Sequence, residues 1–516
     1  MIAFSLLAST KEVSTSVTVT FALILVGLIA CLALEEKLHA KKSVIAGIFA
    51  IISLIVAACC QILPLPGVVV GSMELVEHNR VEGTAEDEEH TEHVEVDAIS
   101  DGEHAEHDRP VYVDGHRLAM PIYMPGIDWG AIAIILGSSL FVDVTSKSGL
   151  FTWIAVRVTK ASKGDPLRLL WSYGIMTVVF SAVLNNVTAM IIVGSLTVVS
   201  LDKLGRREQL LGFLLIEGLL TNIGGLLTLI SSVPNIIVGN SADISFVSFF
   251  VKAAPYVFVT TIATIAMGAK MFHIQKLNTE EEKLKASELV GSFDENDGVA
   301  SRGFFWFSTS MLIAFILIVA TLSMIPYINT LGMGFVALTF AGIQLIRYKS
   351  EVDQFYKSID WDLIGFFMAL FVVIYVMEYA HVLHAIGDGL QWVLADIKAN
   401  TAGVRDASVL LVGSAAFSSV TDNIPLSAML SNILTTLETP KFTADHTESG
   451  LWWSVIFGSN LGGNLTPIGS ASTLVAVTIM HKHDLHVSFG KFVVKAFPFA
   501  IMHIVLAVIY VVAFLR

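Results

Sequence analysis

The sequence predicts an all-α integral membrane protein: about ten crossing helices plus two re-entrant hairpins, built as two inverted repeats with broken helices. Three observations carry this. The 516-residue chain is 54% hydrophobic and 15% charged, with a mean hydropathy of +0.72, too few charges to cover a soluble surface of that size. Apolar runs of 18 or more residues recur, as in Val17–Leu34, Val44–Leu63 and Val493–Leu515, each long enough to cross a hydrocarbon core of roughly 30 Å. Short polar motifs also recur in the same order at a nearly constant spacing.

The crossing segments read as 16–34, 43–63, 129–146, 208–230, 246–270, 304–326, 330–346, 362–380, 451–479 and 491–514. No basic stretch precedes the first run, so it does not read as a cleaved signal peptide. Two further apolar stretches, 168–200 and 407–436, are interrupted near the middle by Asn185-Asn186-Val187-Thr188 and Thr421-Asp422-Asn423-Ile424-Pro425, which gives the two hairpins. Basic clusters test the count. Lys37, Lys41 and Lys42 follow the first crossing; Arg157, Lys160, Lys163 and Arg168 precede the first hairpin; Lys203, Arg206 and Arg207 follow it; Arg347, Lys349 and Lys357 follow the segment at 330–346. All fall on the cytoplasmic side if the first hairpin returns there, as the positive-inside bias asks. Both termini then lie outside, and the membrane is the cytoplasmic one.

The domain reading follows: 1–63, two N-terminal crossings; 64–127, an acidic, His-rich external loop; 128–270, the first transport repeat; 271–302, a charged cytoplasmic linker; 303–515, the second repeat with its leading helices. The net charge of −14 belongs almost wholly to the loop, where Glu74–Asp108 holds 14 acidic residues against Arg80 alone. The loop reads as solvated and disordered. His90/His93 and His104/His107 have ligand-like spacing and are its weak metal candidates. Cys31, Cys59 and Cys60 lie inside apolar runs and read as small buried apolar side chains, with no metal or disulfide pattern.

Ile127-Asp128-Trp129 recurs as Ile359-Asp360-Trp361, an offset of 232. Asn186 matches Asn423 at 237, and Thr221-Asn222-Ile223-Gly224-Gly225 matches Ser459-Asn460-Leu461-Gly462-Gly463 at 238, with Thr228 facing Thr466 and Ser232 facing Ser470. Five crossings separate corresponding positions, and an odd number turns the second copy upside down.

Each half therefore carries two polar breaks: Asn185–Thr188 and 229–235 in the first, 422–425 and 464–472 in the second. Backbone groups freed by such breaks cannot stay unpaired in lipid, so breaks are tolerated where they line a wet cavity or a bound solute. The candidate solute- or ion-contacting residues are Asn185, Asn186, Thr188, Asn222, Ser231, Ser232, Asn235, Asp422, Asn423, Asn460, Asn464, Thr466, Ser470 and Ser472. Candidate proton carriers are Asp422, Glu217, Asp143 and Glu378, because an intramembrane carboxylate is expensive and usually functional. Asp143 and Glu378 could also be interfacial acids. Ser181 and Ser418, four residues before Asn185 and Asp422, read as hydroxyls bonded to their own helix. No Gly-rich phosphate loop ending in Lys-Ser/Thr and no hydrolase triad or zinc-protease signature is present, so the energy source reads as an ion gradient, and the chain reads as no enzyme and no nucleic-acid binder.

These motifs resemble the ion transporter superfamily, in its arsenite permease, P protein and D-type sodium-proton antiporter branch, which carries a citrate-transporter-like domain. The carrying residues are Glu217, Thr221–Gly225, Pro234–Gly239, Thr421–Pro425 and Gly462–Gly469, and the resemblance covers roughly 127–515. It implies two re-entrant hairpins, two broken helices, a midplane site between repeats and a homodimer, with the bilayer and a small ion as partners and no cofactor. Relatives commonly show Asp-Asn at the first tip where Asn185-Asn186 stands here, and Gly-Asp/Thr-Pro-Pro-Asn where Ser231-Ser232-Val233-Pro234-Asn235 stands. Asp422 is then the one tip carboxylate. Two functional expectations follow. One is Na⁺/H⁺ antiport, with Asp422 exchanging the two ions and hydroxyls and amides completing the shell. The other is an anion or oxyanion permease for arsenite, a dicarboxylate or chloride.

Overall fold

The structure is a computed structural model that describes residues 13–33, 38–63, 123–124, 126–296, 298–299, 301–322, 325, 328–349, 352–395, 397, 402–420, 423–441, 449–467, 469–485 and 487–515. Among these the chain is helical throughout, with no strand. Ten helices among the described residues are long and apolar enough to cross a bilayer. Two leading helices, α1 (Thr15–Ala33) and α2 (Lys42–Cys59), precede the first repeat. That repeat comprises α3 (Trp129–Lys147), α4 (Leu150–Ser162), α5 (Pro166–Val183), α6 (Asn186–Lys203), α7 (Leu210–Gly224), α8 (Val233–Ser241) and α9 (Phe246–Met271). A short α10 (Glu280–Gly291) sits in the linker, N-capped by Thr279. Two more leading helices, α11 (Arg302–Thr321) and α12 (Ile328–Arg347), and a short α13 (Val352–Ser358) follow. The second repeat runs α14 (Trp361–Tyr379), α15 (Val382–Val393), α16 (Val404–Ser418), α17 (Asn423–Thr436), α18 (Gly450–Gly462), α19 (Ala471–Lys482) and α20 (Phe489–Tyr510), whose last turn widens over Val511–Leu515.

The repeats match at the level of single bonds. Asp128 and Asp360 each N-cap the first helix of their repeat, accepting from Ala131 N at 3.0 Å and Leu363 N at 2.9 Å. The Trp129 and Trp361 indoles donate to the carbonyls of Met124 and Tyr356. Gly149 and His381 each take a left-handed conformation before α4 and α15. The repeats are also inverted. α9 and α20 are equivalent, each opening on a Ser cap and carrying an internal proline, Pro255 and Pro498. They run antiparallel: the Tyr510 hydroxyl donates to Lys252 O at 2.7 Å near one end, and Lys495 Nζ lies 5.4 Å from the Phe272 ring near the other.

The leading pairs dock crosswise. α12 packs on α3 of the first repeat, where Gly137 meets Ala337 so closely that a Cβ would sit 2.6 Å from its carbonyl carbon. α2 packs on α14 of the second repeat, where the Ser43 hydroxyl donates to Asp362. α12 also kinks at Gly332, which takes φ +74°. The two N-terminal crossings are thus the counterpart of α11 and α12.

α5 and α6 pack together as a helical hairpin that turns at Leu184–Asn185. Its open ends both rest on the linker: Asp165, the α5 cap, accepts from Leu277 N at 2.9 Å, and Lys203 near the end of α6 places Nζ 3.9 Å from the Phe293 ring. Lys160 and Arg157 at the end of α4 pair with Glu295 of the same linker. The basic clusters flanking the hairpin therefore share one face with the linker, as their spacing predicts.

Two expectations change. Cys59 and Cys60 are exposed at the end of α2, which turns only one face toward the protein, and Cys31 of α1 is half-buried. The helix breaks expected at 229–235 and 464–472 fall slightly earlier, at 225–232 and 463–470. In each, a helix stops at a Gly-Gly pair and restarts beyond the break, as α7/α8 and α18/α19.

Candidate functional site

The two broken helices meet at their breaks, and the two repeats exchange reciprocal bonds there. Ser232, at the start of α8, donates to Asn460 Oδ1 at 2.7 Å. Asn222, at the end of α7, donates through Nδ2 to Ser470 Oγ at 2.9 Å. These are the same contact taken from each repeat, since Asn222 corresponds to Asn460 and Ser232 to Ser470. A pair of patches that each contact the other's counterpart is the signature of a two-fold, here a pseudo-two-fold within one chain.

Further bonds extend the cluster. Asn222 Nδ2 also donates to Asn464 Oδ1 at 2.8 Å, and its Oδ1 accepts from Ser472 Oγ at 3.1 Å and Asn186 Nδ2 at 3.4 Å. Asn460 Nδ2 donates to Asn235 Oδ1 at 2.9 Å and Ile456 O at 2.8 Å. Asn222, Asn235, Asn460 and Asn464 are buried, so each amide must find partners inside the protein.

The freed carbonyls of the breaks are held by side-chain donors. Asn235 Nδ2 and Ser231 Oγ both reach Gly225 O and Thr228 O at 2.6–2.9 Å. In the second repeat the Thr473 hydroxyl takes the corresponding role, 3.1 Å from Pro467 O and 2.8 Å from Ser470 O. The hairpins are locked on in matched fashion. Thr228 Oγ1 donates to Ala182 O at 2.6 Å and Thr466 Oγ1 to Ser419 O at 2.5 Å. Ser181 Oγ lies 2.6 Å from Thr221 O, and Ser418 Oγ lies 2.5 Å from Ser459 O. Both serines thus reach a neighbouring helix rather than their own backbone. Ser181 Oγ is also 2.6 Å from Asn186 Oδ1. Gly225 admits that Asn186 amide: a Cβ there would sit 2.8 Å from Oδ1.

The hairpin-tip residues that are described are less buried than the break centre. Asn185 is exposed, and Asn186, Thr188 and Asn423 are half-buried. Asn185 caps α6 by accepting from Thr188 N at 2.8 Å. Ser470 likewise caps α19, accepting from Thr473 N at 3.3 Å. α8 differs: Ser232 makes no side-chain cap and turns its hydroxyl to Asn460 instead.

Glu217 is buried on α7 beneath this cluster. Its Oε1 accepts from Thr197 Oγ1 of α6 at 2.6 Å, and its Oε2 has no hydrogen-bond partner. Val455 stands at its counterpart position, so the carboxyl is one-sided. Asp143 and Glu378 stand apart from the network: Asp143 pairs with Lys147 at 3.2 Å and Glu378 is exposed. Asp422, His90, His93, His104 and His107 lie outside the described residues. Among the described residues no group of three or more His, Cys, Asp or Glu could hold a metal.

One residue of the cluster was missed by the sequence reading. His503, buried on α20, places Nδ1 3.1 Å from Asn464 Nδ2 and Nε2 2.8 Å from Thr264 Oγ1 of α9. The available signal was an ionisable side chain within the apolar run Val493–Leu515.

Apolar helices long enough to span, inverted repeats and broken helices meeting at a buried polar centre define a multi-pass membrane transporter. The chain belongs to the citrate transporter (CitMHS) family, whose signature matches residues 112–456. It is 28% identical over 386 residues to a 46 kDa membrane protein of Mycobacterium leprae, covering 75% of this chain and 86% of that one. An uncharacterized transporter of Mycobacterium tuberculosis is equally similar over 387 residues, with the same coverage. The human P protein is 22% identical over 468 residues, 77% of this chain and 55% of that protein. Two solved transporters share the fold. YdaH of Alcanivorax borkumensis has a TM-score of 0.53 at 13% identity, over 75% of this chain and 86% of YdaH. MtrF of Neisseria gonorrhoeae has 0.52 at 12% identity, over 92% of this chain and 95% of MtrF.

Proposed function

We propose that this chain is a secondary-active transporter of a small carboxylate or oxyanion, coupled to protons, with its solute site at the two helix breaks. The observation that carries this reading is an imbalance in the backbone groups there. The break carbonyls around Gly225, Thr228 and Ser470 accept from the protein's own amides and hydroxyls. The first turn of α8 has no side-chain cap. An uncapped helix start favours an anion, and carbonyls already bonded offer little to a cation. The family's description as citrate transporters agrees.

In this account both hairpins are re-entrant, in a cytoplasmic membrane, and solute arrives past Asn185, Asn186 and Thr188. Its oxygens take the donors of Ser232 and Asn186, loosening the bonds between repeats. Rocking of one repeat against the other then opens the far side. Glu217 carries the proton, as a buried intramembrane carboxyl beside the breaks whose Oε2 has no hydrogen-bond partner.

A second reading, Na⁺/H⁺ antiport, is favoured by Asp422 in the second hairpin motif, since a tip carboxylate suits a hard cation. One experiment tests both. Purified protein in liposomes under an imposed pH gradient is offered radiolabelled citrate, succinate, arsenite or sodium. Uptake of an anion that collapses with the pH gradient supports the proposal. Sodium flux alone, abolished by Asp422→Asn, would replace it with antiport.

A further inference from the structure

Among the described residues, His503 is the one ionisable side chain hydrogen-bonded to the amide cluster from outside the breaks. It sits on α20, against its antiparallel counterpart α9, and Tyr256 of α9 donates to its main-chain carbonyl at 3.0 Å. The directions of its side-chain bonds can be worked out. Thr264 Oγ1 donates to Thr260 O at 2.6 Å, so toward His503 it presents a lone pair. His503 Nε2 therefore carries a proton and donates to Thr264. Asn464 Oδ1 accepts from Asn222 at 2.8 Å, so Asn464 turns Nδ2 toward His503. Nδ1 must then be an acceptor. Both conditions are met by one species, the neutral Nε2–H tautomer.

The chain of bonds has a sense. It runs from Asn186 and Ser472 into Asn222, from Asn222 into Asn464, from Asn464 into His503, and ends through Thr264 on the α9 backbone. An amide can turn end for end, and each turn would exchange donor for acceptor at Asn222. His503 is where that choice is fixed. No equivalent exists in the other repeat: Leu226 stands opposite Asn464, and Thr260 stands at the helix position opposite His503. Asn460 is instead held within its own helix, by Ile456 O.

We propose that His503 is a positioning residue of the transport site. As an uncharged imidazole it orients the Asn464 amide, and through it Asn222, so that the break centre offers solute donors and acceptors of one fixed sense. The inference rests on the solute site lying at the breaks, as proposed above.

Two substitutions divide the functions of the ring. Asn at this position places a carbonyl oxygen near the site of Nδ1, whereas Gln reaches toward the site of Nε2. His503→Asn thus keeps the acceptor for Asn464, and His503→Gln removes it while keeping a partner for Thr264. Expected is a KM within about twofold of wild type for His503→Asn. For His503→Gln a rise of about 5–30-fold is expected, the effect of one buried amide losing its partner, with maximal flux little changed. A merely structural histidine would tolerate both alike, and equal KM effects would overturn the inference.

A second readout needs no solute. Nitrogen NMR of isotope-labelled histidine in the full-length protein should show His503 as the neutral Nε2–H tautomer. In Asn464→Leu the Nδ1 resonance should move while Nε2 holds. A charged ring or an Nδ1–H tautomer would overturn the inference directly. If no anion in the uptake panel is carried, the functional reading falls and the tautomer still decides the role of His503.

Discussion

The Ser232 hydroxyl of one repeat donates to Asn460 Oδ1 of the other at 2.7 Å, and the pseudo-two-fold returns the bond as Asn222 to Ser470 at 2.9 Å. A transporter that alternates must remake such bonds, so they are both the closure of the present state and a barrier to leaving it.

Removing one bond of this pair should therefore be felt in stability. Asn460→Leu strips partners from Ser232 and Asn235 in a buried place, and a loss of about 1–3 kcal/mol is expected. Thermal unfolding in detergent measures it. A double-mutant cycle with Ser232→Ala should return a coupling of about 0.5–3 kcal/mol, as for residues in contact. A coupling of zero would mean the bond is not formed in the membrane protein.

The hairpins are seated through two matched glycines. A Cβ on Gly224 would lie 2.6 Å from Val178 O, and one on Gly462 would lie 2.3 Å from Ala415 O. Gly224→Ala and Gly462→Ala should each destabilise by about 1–3 kcal/mol, the usual cost of forcing extra volume into a packed interior. Gly47→Ala and Gly342→Ala are the controls. Nothing lies within 4 Å of a Cβ at either, and helix propensity should make both neutral or stabilising by up to about 1 kcal/mol.

On the proposed reading Glu217, with its Oε1 on Thr197 and Oε2 unpartnered, couples protons and does not bind solute. Glu217→Gln keeps the shape and removes the exchangeable proton. Solute exchange across equal concentrations should survive within a fewfold, while uphill uptake driven by a pH gradient is lost. Uphill uptake at the wild-type level would remove Glu217 from the mechanism.

The linker is held on α4, beside the hairpin, by charge. Lys160, hydrogen-bonded to Glu295, and Arg157 beside it keep that carboxyl below the usual carboxylate range. A lowered folded value means the contact contributes above the unfolded carboxylate range and is lost as pH falls through the folded one. Hydrogen exchange across 271–296 should therefore be slow at neutral pH and quicken in acid. Glu295→Gln should show the quick pattern at both pH values.

Much of this was legible because symmetry wrote it twice. The Asp128/Asp360 caps, the Thr228/Thr466 locks and the Asn222/Asn460 centre all fall at matched offsets, and a polar motif repeated inside apolar segments has few reasons to exist except a site. The two broken helices were legible from residue type, although each break opens slightly earlier than 229–235 and 464–472, at Gly224-Gly225 and Gly462-Gly463. What was not legible is what symmetry lacks. His503 has Thr260 as its counterpart, so no repeat pointed to it, and a single histidine in an apolar run does not reveal what it faces. The crosswise docking of α2 on α14 and α12 on α3 was hidden for a different reason. Long-range packing of two uniformly apolar helices leaves no periodic signal, and only Gly137 and Ser43 mark where the contacts fall. Ser181 and Ser418 misled because the same residue type serves helix backbone and neighbour alike.

Uptake by liposome-reconstituted protein carrying Asn222→Leu or Asn460→Leu tests the break centre as the solute site most directly, with Asn432→Leu, whose amide only bonds Ala428 O of its own helix, as control. The predicted result is that both central variants lose at least about tenfold in uptake at subsaturating solute, the effect of roughly 1.4 kcal/mol, while the control transports normally. Wild-type KM and flux in Asn222→Leu and Asn460→Leu would contradict it and place the solute elsewhere.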